Sequence, residues 1–401
     1  MIDQYGQEPK ISYTTKKGVI NNERWSRLLR QCVLQETLCA FASTFDTMTY
    51  HEIAHYNMIR FKEKSLWKEI DKSTFGIIKV INSDTLDAAL SATKIFGETF
   101  TVLNMANATG FGGGYTHGRS AQEENIFRRT DCHFSMLREY LNGGTYTNYV
   151  YSDENGKKDK TMTQKIEQGI VFKDQPRVCI RRGESLVPDG NKSPVEIQQL
   201  IHYKWLDYYD IFQFYEMRNA ARDYRDEDYN PFYKAKEGGV KDDNTTKYPI
   251  SDTDAIILYN EAKKEIKAEA DAAEKAKKQL VKAIVSDMKT RIINQLTQLI
   301  KNNCEYVILS AFGCGAFHNH PIVVSNLYNE IFESVYDKAT PTKTYRDHFK
   351  VIIFAIYQNN PNVNNSAQFK LFLDNSEASN PNVKAFLDQL DPPAAVAAGP
   401  P

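Results

Sequence analysis

Twice in this chain a short apolar run ends in clustered glycines and passes straight into a helical pattern. Residues 99–105 (TFTVLNM) lead to Gly112-Gly113-Gly114 and then to a helix expected over 120–141, with Ile126, Phe127, Phe134, Leu137 and Tyr140 apolar. Residues 306–310 (YVILS) lead to Gly313-Cys314-Gly315 and to a helix expected over 323–335. Two further runs, 76–81 (GIIKVI) and 349–357 (FKVIIFAIY), have the same character. Short runs this apolar suit strands buried on both faces, and such strands joined through helices pair in parallel. Helical patterns fill the intervals. Over 23–64, Trp25, Leu28, Leu29, Cys32, Leu34 and Leu38 recur at three-to-four spacing, with a second piece from Tyr50, and Asp84 opens another helix through Leu86, Ala89 and Leu90. The expected class is α/β with a mainly parallel sheet. In an open sheet of this kind ligands bind at the carboxyl ends of the strands, so the two glycine loops are predicted to lie close together.

The rest of the chain is less regular. Residues 143–170 read as a hairpin with a charged tip, leading into a strand at 169–173 (GIVFK). Residues 194–235 are crowded with aromatics and are expected to pack onto the core, and 236–253 lack periodicity and read as a loop. Residues 254–302 form the longest helical run, with Ile266, Ala270, Ala273, Leu280 and Ile284 as its apolar seam and a solvated face for its charges. The division that follows is an irregular segment at 1–22 and a helical extension packed on the core at 23–72. A core with insertions (about 143–168 and 190–302) spans 73–375, and a low-complexity tail spans 376–401.

Lys+Arg 50 against Asp+Glu 51 leaves a formal charge of −1. That balance argues against gripping a nucleic-acid backbone by counterion release. It leaves room for a small phosphorylated ligand, because backbone amides hold phosphate without net charge. None of the six cysteines, Cys32, Cys39, Cys132, Cys179, Cys304 and Cys314, sits in a CxxC pair, which suits a reducing compartment rather than a disulfide framework. The opening MIDQYGQEPK lacks the pattern of a signal peptide, and no apolar run approaches the roughly 18 residues of a membrane span. A soluble, intracellular protein is expected.

Glycines let the backbone reach otherwise forbidden angles and let a ligand approach the main chain. The helix beyond offers free amides and a partial positive charge. After seven intervening residues (115–121) stand Gln122-Glu123-Glu124. Ser120-Ala-Gln-Glu123 fits a capping box, which would account for Glu123 without any function. Glu124 is not needed for that box. Adjacent helical residues point about 100° apart, so the two carboxylates also suit a division between orienting a sugar hydroxyl and transferring a proton.

These residues resemble the microbial-type poly(ADP-ribose) glycohydrolases, whose signature is three glycines, a short spacer and Gln-Glu-Glu. Other segments agree in the family's order: 80–87 (VINSDTLD), 103–107 (LNMAN), Arg128-Arg129-Thr130, 169–174 (GIVFKD) and 313–319 (GCGAFHN). The resemblance implies a macrodomain-like three-layer α/β/α core with N-terminal helices and helical insertions, and ADP-ribose or an ADP-ribosylated protein as substrate. It implies Glu124 as the acid/base, Glu123 on the ribose hydroxyls, and Asn107 facing the distal ribose. It places Gly112, Gly113 and Gly114, with Gly313, Cys314, Gly315, Ala316 and Phe317, on the diphosphate; Gln122 completes the expected contacts. No metal or cofactor is implied. The chain departs from the family at Gly110-Phe111 and at 220–223 (AARD), around the cleft, which opens protein-linked mono-ADP-ribose as a substrate and the inserted helices as a surface for a protein partner.

Two other readings stand beside this one. A module that binds ADP-ribose without cleaving it would have no use for Glu124. His51-Glu52-Ile53-Ala54-His55 spells HExxH, which on a helix puts two histidines on one face for zinc with the glutamate as base; a partly exposed helix is the plain alternative. His117 and His133 near the first loop and His318 and His320 near the second could line the cleft, but most of them are expected to face solvent.

Overall fold

The structure, a computed structural model, describes residues 22–42, 49–69, 75–134, 160–184, 203–224, 230–235, 247–264, 272–339, 341–357, 365–376 and 381–390. Its strands are β1 (Ile77–Ile81), β2 (Thr101–Met105), β3 (Ile170–Cys179), β4 (Phe212–Asn219), β5 (Tyr233–Ala235), β6 (Lys247–Pro249), β7 (Tyr306–Leu309) and β8 (Val351–Ala355). Six of them make one sheet in the order β1-β8-β7-β2-β4-β3, and β5 and β6 form a separate pair. All neighbours in the large sheet are parallel except β3 and β4. The helices are α1 (Asn22–Ala42), α2 (Tyr50–Lys64), α3 (Thr85–Phe96), α4 (Gln122–Arg129), α5 (Lys160–Gln168), α6 (Asp252–Ala262), α7 (Ala272–Lys301), α8 (Pro321–Phe332), α9 (Asn365–Leu373) and α10 (Pro381–Asp388).

Successive strand residues point to opposite faces, and the core divides accordingly. Ile77, Ile81, Val102, Ile308, Val351 and Ile353 pack on one face with residues of α1, α2, α3 and α10. Ile78, Val80, Leu103, Val307, Leu309, Ile352 and Phe354 pack on the other with residues of α6, α7, α8 and α9. Helices therefore cover both sides, as the apolar strands require, and the result is the three-layer α/β/α core. Each fully buried Leu, Ile or Phe contributes roughly 1.5–3 kcal/mol.

Several expectations change. The strand β4 lies inside the stretch read only as aromatic packing. Its sequence FQFYEMRN carries Glu216 and Arg218, which look like surface residues but are buried. They are buried because they pair: Arg218 Nε donates to Glu216 Oε1 at 2.7 Å, Arg177 Nε to Glu216 Oε2 at 2.9 Å, and Asn104 Nδ2 to Oε1 at 2.8 Å. Burial alone would raise the Glu216 carboxyl, but Arg218 and Arg177 hold it down at about 2. The expected hairpin ends in α5, a helix from Lys160, while 143–159 lie outside the described residues. The helix after the first loop stops at Arg129, because Thr130 turns extended and bridges to Cys179. The long run splits into α6 and α7, with 265–271 outside the described residues. Within the segment expected as a tail, α10 forms and buries Val383 and Leu387; 391–401 lie outside the description.

Candidate active site

The first glycine loop leaves the end of β2 and enters α4. Gln122, at the first position of α4, fixes the two together. Its Oε1 accepts from Met105 N at 2.8 Å, and its Nε2 donates to Leu103 O at 2.6 Å and to Thr85 Oγ1 at 3.3 Å. The Gln122 amide is thus committed to the strand end and the start of α3. A second clamp runs through Asp84, the N-cap of α3, which accepts from Arg129 Nη1 at 2.5 Å and Asn125 Nδ2 at 3.0 Å on α4. These bonds set the direction in which the first turn of α4 points its side chains.

Glu123 and Glu124 point into the loop. The expected capping box is absent: the N-cap of α4 is Ala121, which makes no side-chain capping bond. Ser120 sits one residue too early. Glu123 instead accepts from Asn107 N at 2.8 Å and Gly112 N at 3.1 Å, and Glu124 from Gly114 N at 2.9 Å. Both are buried, at 4% and 6% exposure. A Cβ on Gly113 would lie 2.6 Å from Glu124 Oε1 and 3.2 Å from Glu123 Oε2, so the two carboxylates converge on that glycine. Its φ of +54° also favours glycine. Burial, and next the charge of Glu124, push the Glu123 carboxyl well above the usual range, against the Asn107 hydrogen bond and the charge of Arg218.

Asn107 caps the turn that follows β2, its Oδ1 accepting from Thr109 N and Gly110 N, both at 2.9 Å. The second loop, after β7, is held from behind. Asn319 Nδ2 donates to Arg222 O at 3.0 Å and Gly313 O at 3.1 Å, and Phe317 O accepts from Tyr224 N at 3.1 Å. Gly313 has φ +72° and leaves no room for a Cβ against Ala221 and Asn319, whereas Gly315 faces open space.

A cleft of about 590 Å³ joins these parts. Its lining includes Asn107, Gly113, Gly114, Glu123, Glu124, Ala316 and Phe317. The structure therefore brings the two loops together as expected, with both glutamates between them. Gly112, Gln122, Gly313, Cys314 and Gly315 are absent from the lining, and the Cys314 thiol is buried behind it. The sequence reading missed Arg27 and Arg30, which α1 contributes to the same cleft. A lone arginine on an amphipathic helix carries no local signal of this. Of the four histidines, His117 is exposed and lines the cleft, whereas His320 is buried as the N-cap of α8. His133 is half-buried and bonds Tyr115 Oη through Nδ1 at 2.7 Å, and His318 stacks on Tyr233 at 4.8 Å between ring centres.

The HExxH segment lies on α2 but has another use. Glu52 completes a capping box with Thr49, accepting from Thr49 N at 2.6 Å. His51 Nε2 meets Asp131 Oδ2 at 2.9 Å. Among the described residues no group of three or more His, Cys, Asp or Glu is placed to hold a metal ion.

A mainly parallel α/β/α core with paired buried carboxylates at its strand ends defines the class of site that the resemblance implied. Residues 32–166, about a third of the chain, match the family described as microbial-type PARG, catalytic domain. That segment contains the first glycine loop with Glu123 and Glu124, and over it the resemblance is borne out. No curated protein matches the chain. Among solved structures, the poly(ADP-ribose) glycohydrolase of Thermomonospora curvata bound to the inhibitor ADP-HPD is similar at 15% identity and a TM-score of 0.44, covering 86% of this chain and 99% of that one. The poly(ADP-ribose) glycohydrolase of Deinococcus radiodurans in complex with ADP-ribose is similar at 15% identity and a TM-score of 0.40, covering 80% and 92%.

Proposed function

We propose that the protein is an ADP-ribose glycohydrolase that removes poly- or mono-ADP-ribose from modified proteins, with Glu124 as its acid/base. The observation that carries the reading is the convergence of two buried carboxylates on Gly113, at the centre of a cleft lined by both glycine loops. In this reading Glu124 gives a proton to the leaving oxygen as the ribosyl C–O bond breaks. The carboxylates stabilise the positive charge that develops on the sugar, and Glu124 then takes a proton from the attacking water. Burial raises the neighbouring Glu123 carboxyl, so the pair does not carry two unopposed charges into the cleft. Glu123 holds the ribose hydroxyls, and its two amide bonds give it a fixed position from which to do so. Because Asn107 spends its Oδ1 on its own turn, the Nδ2 donor is the end that meets the distal ribose.

The diphosphate is assigned chiefly to the second loop at Ala316 and Phe317, since Gly112 and Gly114 have already given their amides to Glu123 and Glu124. Substrate extends from this pocket toward the inserted elements, and a modified protein is expected to rest there. No helix among the described residues is long and apolar enough to cross a membrane. The test is to incubate the protein with poly- and mono-ADP-ribosylated proteins side by side and measure free ADP-ribose. Release from at least one substrate supports the reading; release from neither, with ADP-ribose still bound, would leave a binding module instead.

A further inference from the structure

The cleft has two unlike walls. On one side stand Ala316 and Phe317, with Phe317 packed against the core cluster on the α7–α8 face of the sheet. The other wall belongs to α1, which packs on the opposite face through Leu34, and to the turn after the first glycine loop. This wall carries Arg27, Arg30, His117 and Arg119, and among the described residues the acidic ones lining the cleft are Glu123 and Glu124. Three arginines along one wall stand out in a chain whose formal charge is −1.

The wall is built by close backbone contact. Gly118 has φ +71°, and a Cβ there would lie 2.2 Å from Arg27 O, so only glycine lets α1 approach this near. Gln31 Nε2 donates to Thr116 O at 2.8 Å, fixing the same approach. Arg30 is engaged, with Nε and Nη2 each 2.7 Å from a carboxylate oxygen of Glu184. Arg119 lies across Gly114, where an added Cβ would be 2.5 Å from its Cδ. The Gly114 amide is the one that holds Glu124. The basic wall is therefore on the Glu124 side of the cleft, where the proton meets the departing oxygen.

We propose that Arg27 and Arg119 form a subsite for a phosphate group carried by the leaving portion of the substrate. This rests on the glycohydrolase reading, which fixes which side of the cleft the leaving portion occupies. A guanidinium presents a planar fork of donors that matches phosphate oxygens. A leaving portion that is itself a nucleoside diphosphate, as when ADP-ribose is attached to another ADP-ribose unit, brings such oxygens to the wall. A cationic leaving portion, such as an arginine guanidinium, meets like charge there and is disfavoured.

The test compares kcat/KM for an ADP-ribose dimer with that for ADP-ribose linked to serine in a neutral peptide, in the wild type and in R27Q/R119Q. The ratio of dimer to peptide is expected to fall about tenfold in the variant, chiefly through KM, and R27K/R119K is expected to recover part of it. Rising salt should lower the wild-type ratio in the same direction. An unmoved ratio would overturn the subsite, as would an equal loss on both substrates, because the arginines would then hold the part of the substrate common to both. If the wild type cleaves neither substrate, the glycohydrolase reading fails separately. Equilibrium binding of the dimer against free ADP-ribose then decides the subsite: a preference for the dimer that R27Q/R119Q abolishes supports it, and any other pattern overturns it.

Discussion

The two glycine loops follow parallel neighbouring strands, precede helices, and look alike in sequence, yet they do opposite things with their backbone. The first turns inward. Gly112 and Gly114 donate their amides to Glu123 and Glu124, and Gly113 is bare so that both carboxylates can come close. The second turns outward. Asn319 and Tyr224 brace it from behind, and Gly315 has nothing near its missing side chain. One glycine cluster holds the chain's own acids in place, while the other leaves Gly315 in open space. A glycine run after a strand thus signals close approach to the backbone, and only the fold says whether a side chain or a ligand makes that approach.

The contrast can be broken most sharply at Gly113. A Gly113→Ala change would drive a methyl group into Glu124 and strain a residue at φ +54°, so hydrolysis is expected to fall by at least about 100-fold. Steady-state kinetics would show it, and near-normal activity would mean that the carboxylates do not need this geometry. Beneath the first loop, Arg218→Ala would leave Glu216 buried with half its charge compensation, and a loss of about 3–5 kcal/mol of stability is expected in chemical denaturation. At the second loop, Asn319→Ala removes buried bonds from behind the open backbone. It should cost about 1–3 kcal/mol and weaken ADP-ribose binding more than it slows the bound reaction, a split visible in KM against kcat. Gly315→Ala, placed in open space, is expected to change stability by less than about 0.5 kcal/mol and so stands as the mild partner of Gly113→Ala.

The buried glutamates separate the regions by pH as well. The folded Glu123 carboxyl lies above its ordinary value, so its contribution to stability is full below the usual carboxylate range and is lost as pH rises through the folded value. Glu216, held at about 2, behaves oppositely: its contribution is full above the usual range and is lost as pH falls toward 2. Melting temperatures across acid to neutral pH should therefore show a flatter decline toward neutrality in Glu123→Gln, and a Glu216→Gln variant should lose its pH dependence at the acid end instead. Identical profiles for both variants would contradict the opposed environments.

Much of this was legible in the sequence, for identifiable reasons. The strands β1, β2, β7 and β8 are buried on both faces and say so by being apolar throughout. The strand β4 was hidden because its charges neutralise one another inside the core, an event that pairs residues from β3 and β4 and leaves no mark in either segment. Capping was misassigned. Ser120 and Glu123 have the spacing of a box but the helix begins at Gln122, whereas Thr49 and Glu52 form the real box inside a segment whose HExxH spelling suggested zinc. Gln122 stands where the resemblance implies a ligand contact, and in the structure its amide bonds the strand end and the start of α3. The basic wall was invisible because it depends on Gly118, whose need for a bare backbone arises from a helix that starts nearly a hundred residues earlier in the chain.

The central claim concerns Glu124, and one measurement bears on it most directly. Glu124→Gln keeps the size of the side chain and an oxygen to accept the Gly114 amide, while removing the proton that hydrolysis requires. The variant should bind ADP-ribose with a dissociation constant within a few-fold of the wild type and lose turnover on ADP-ribosylated protein by about 100-fold or more. Full turnover by this variant would contradict the assignment of Glu124 as the acid/base.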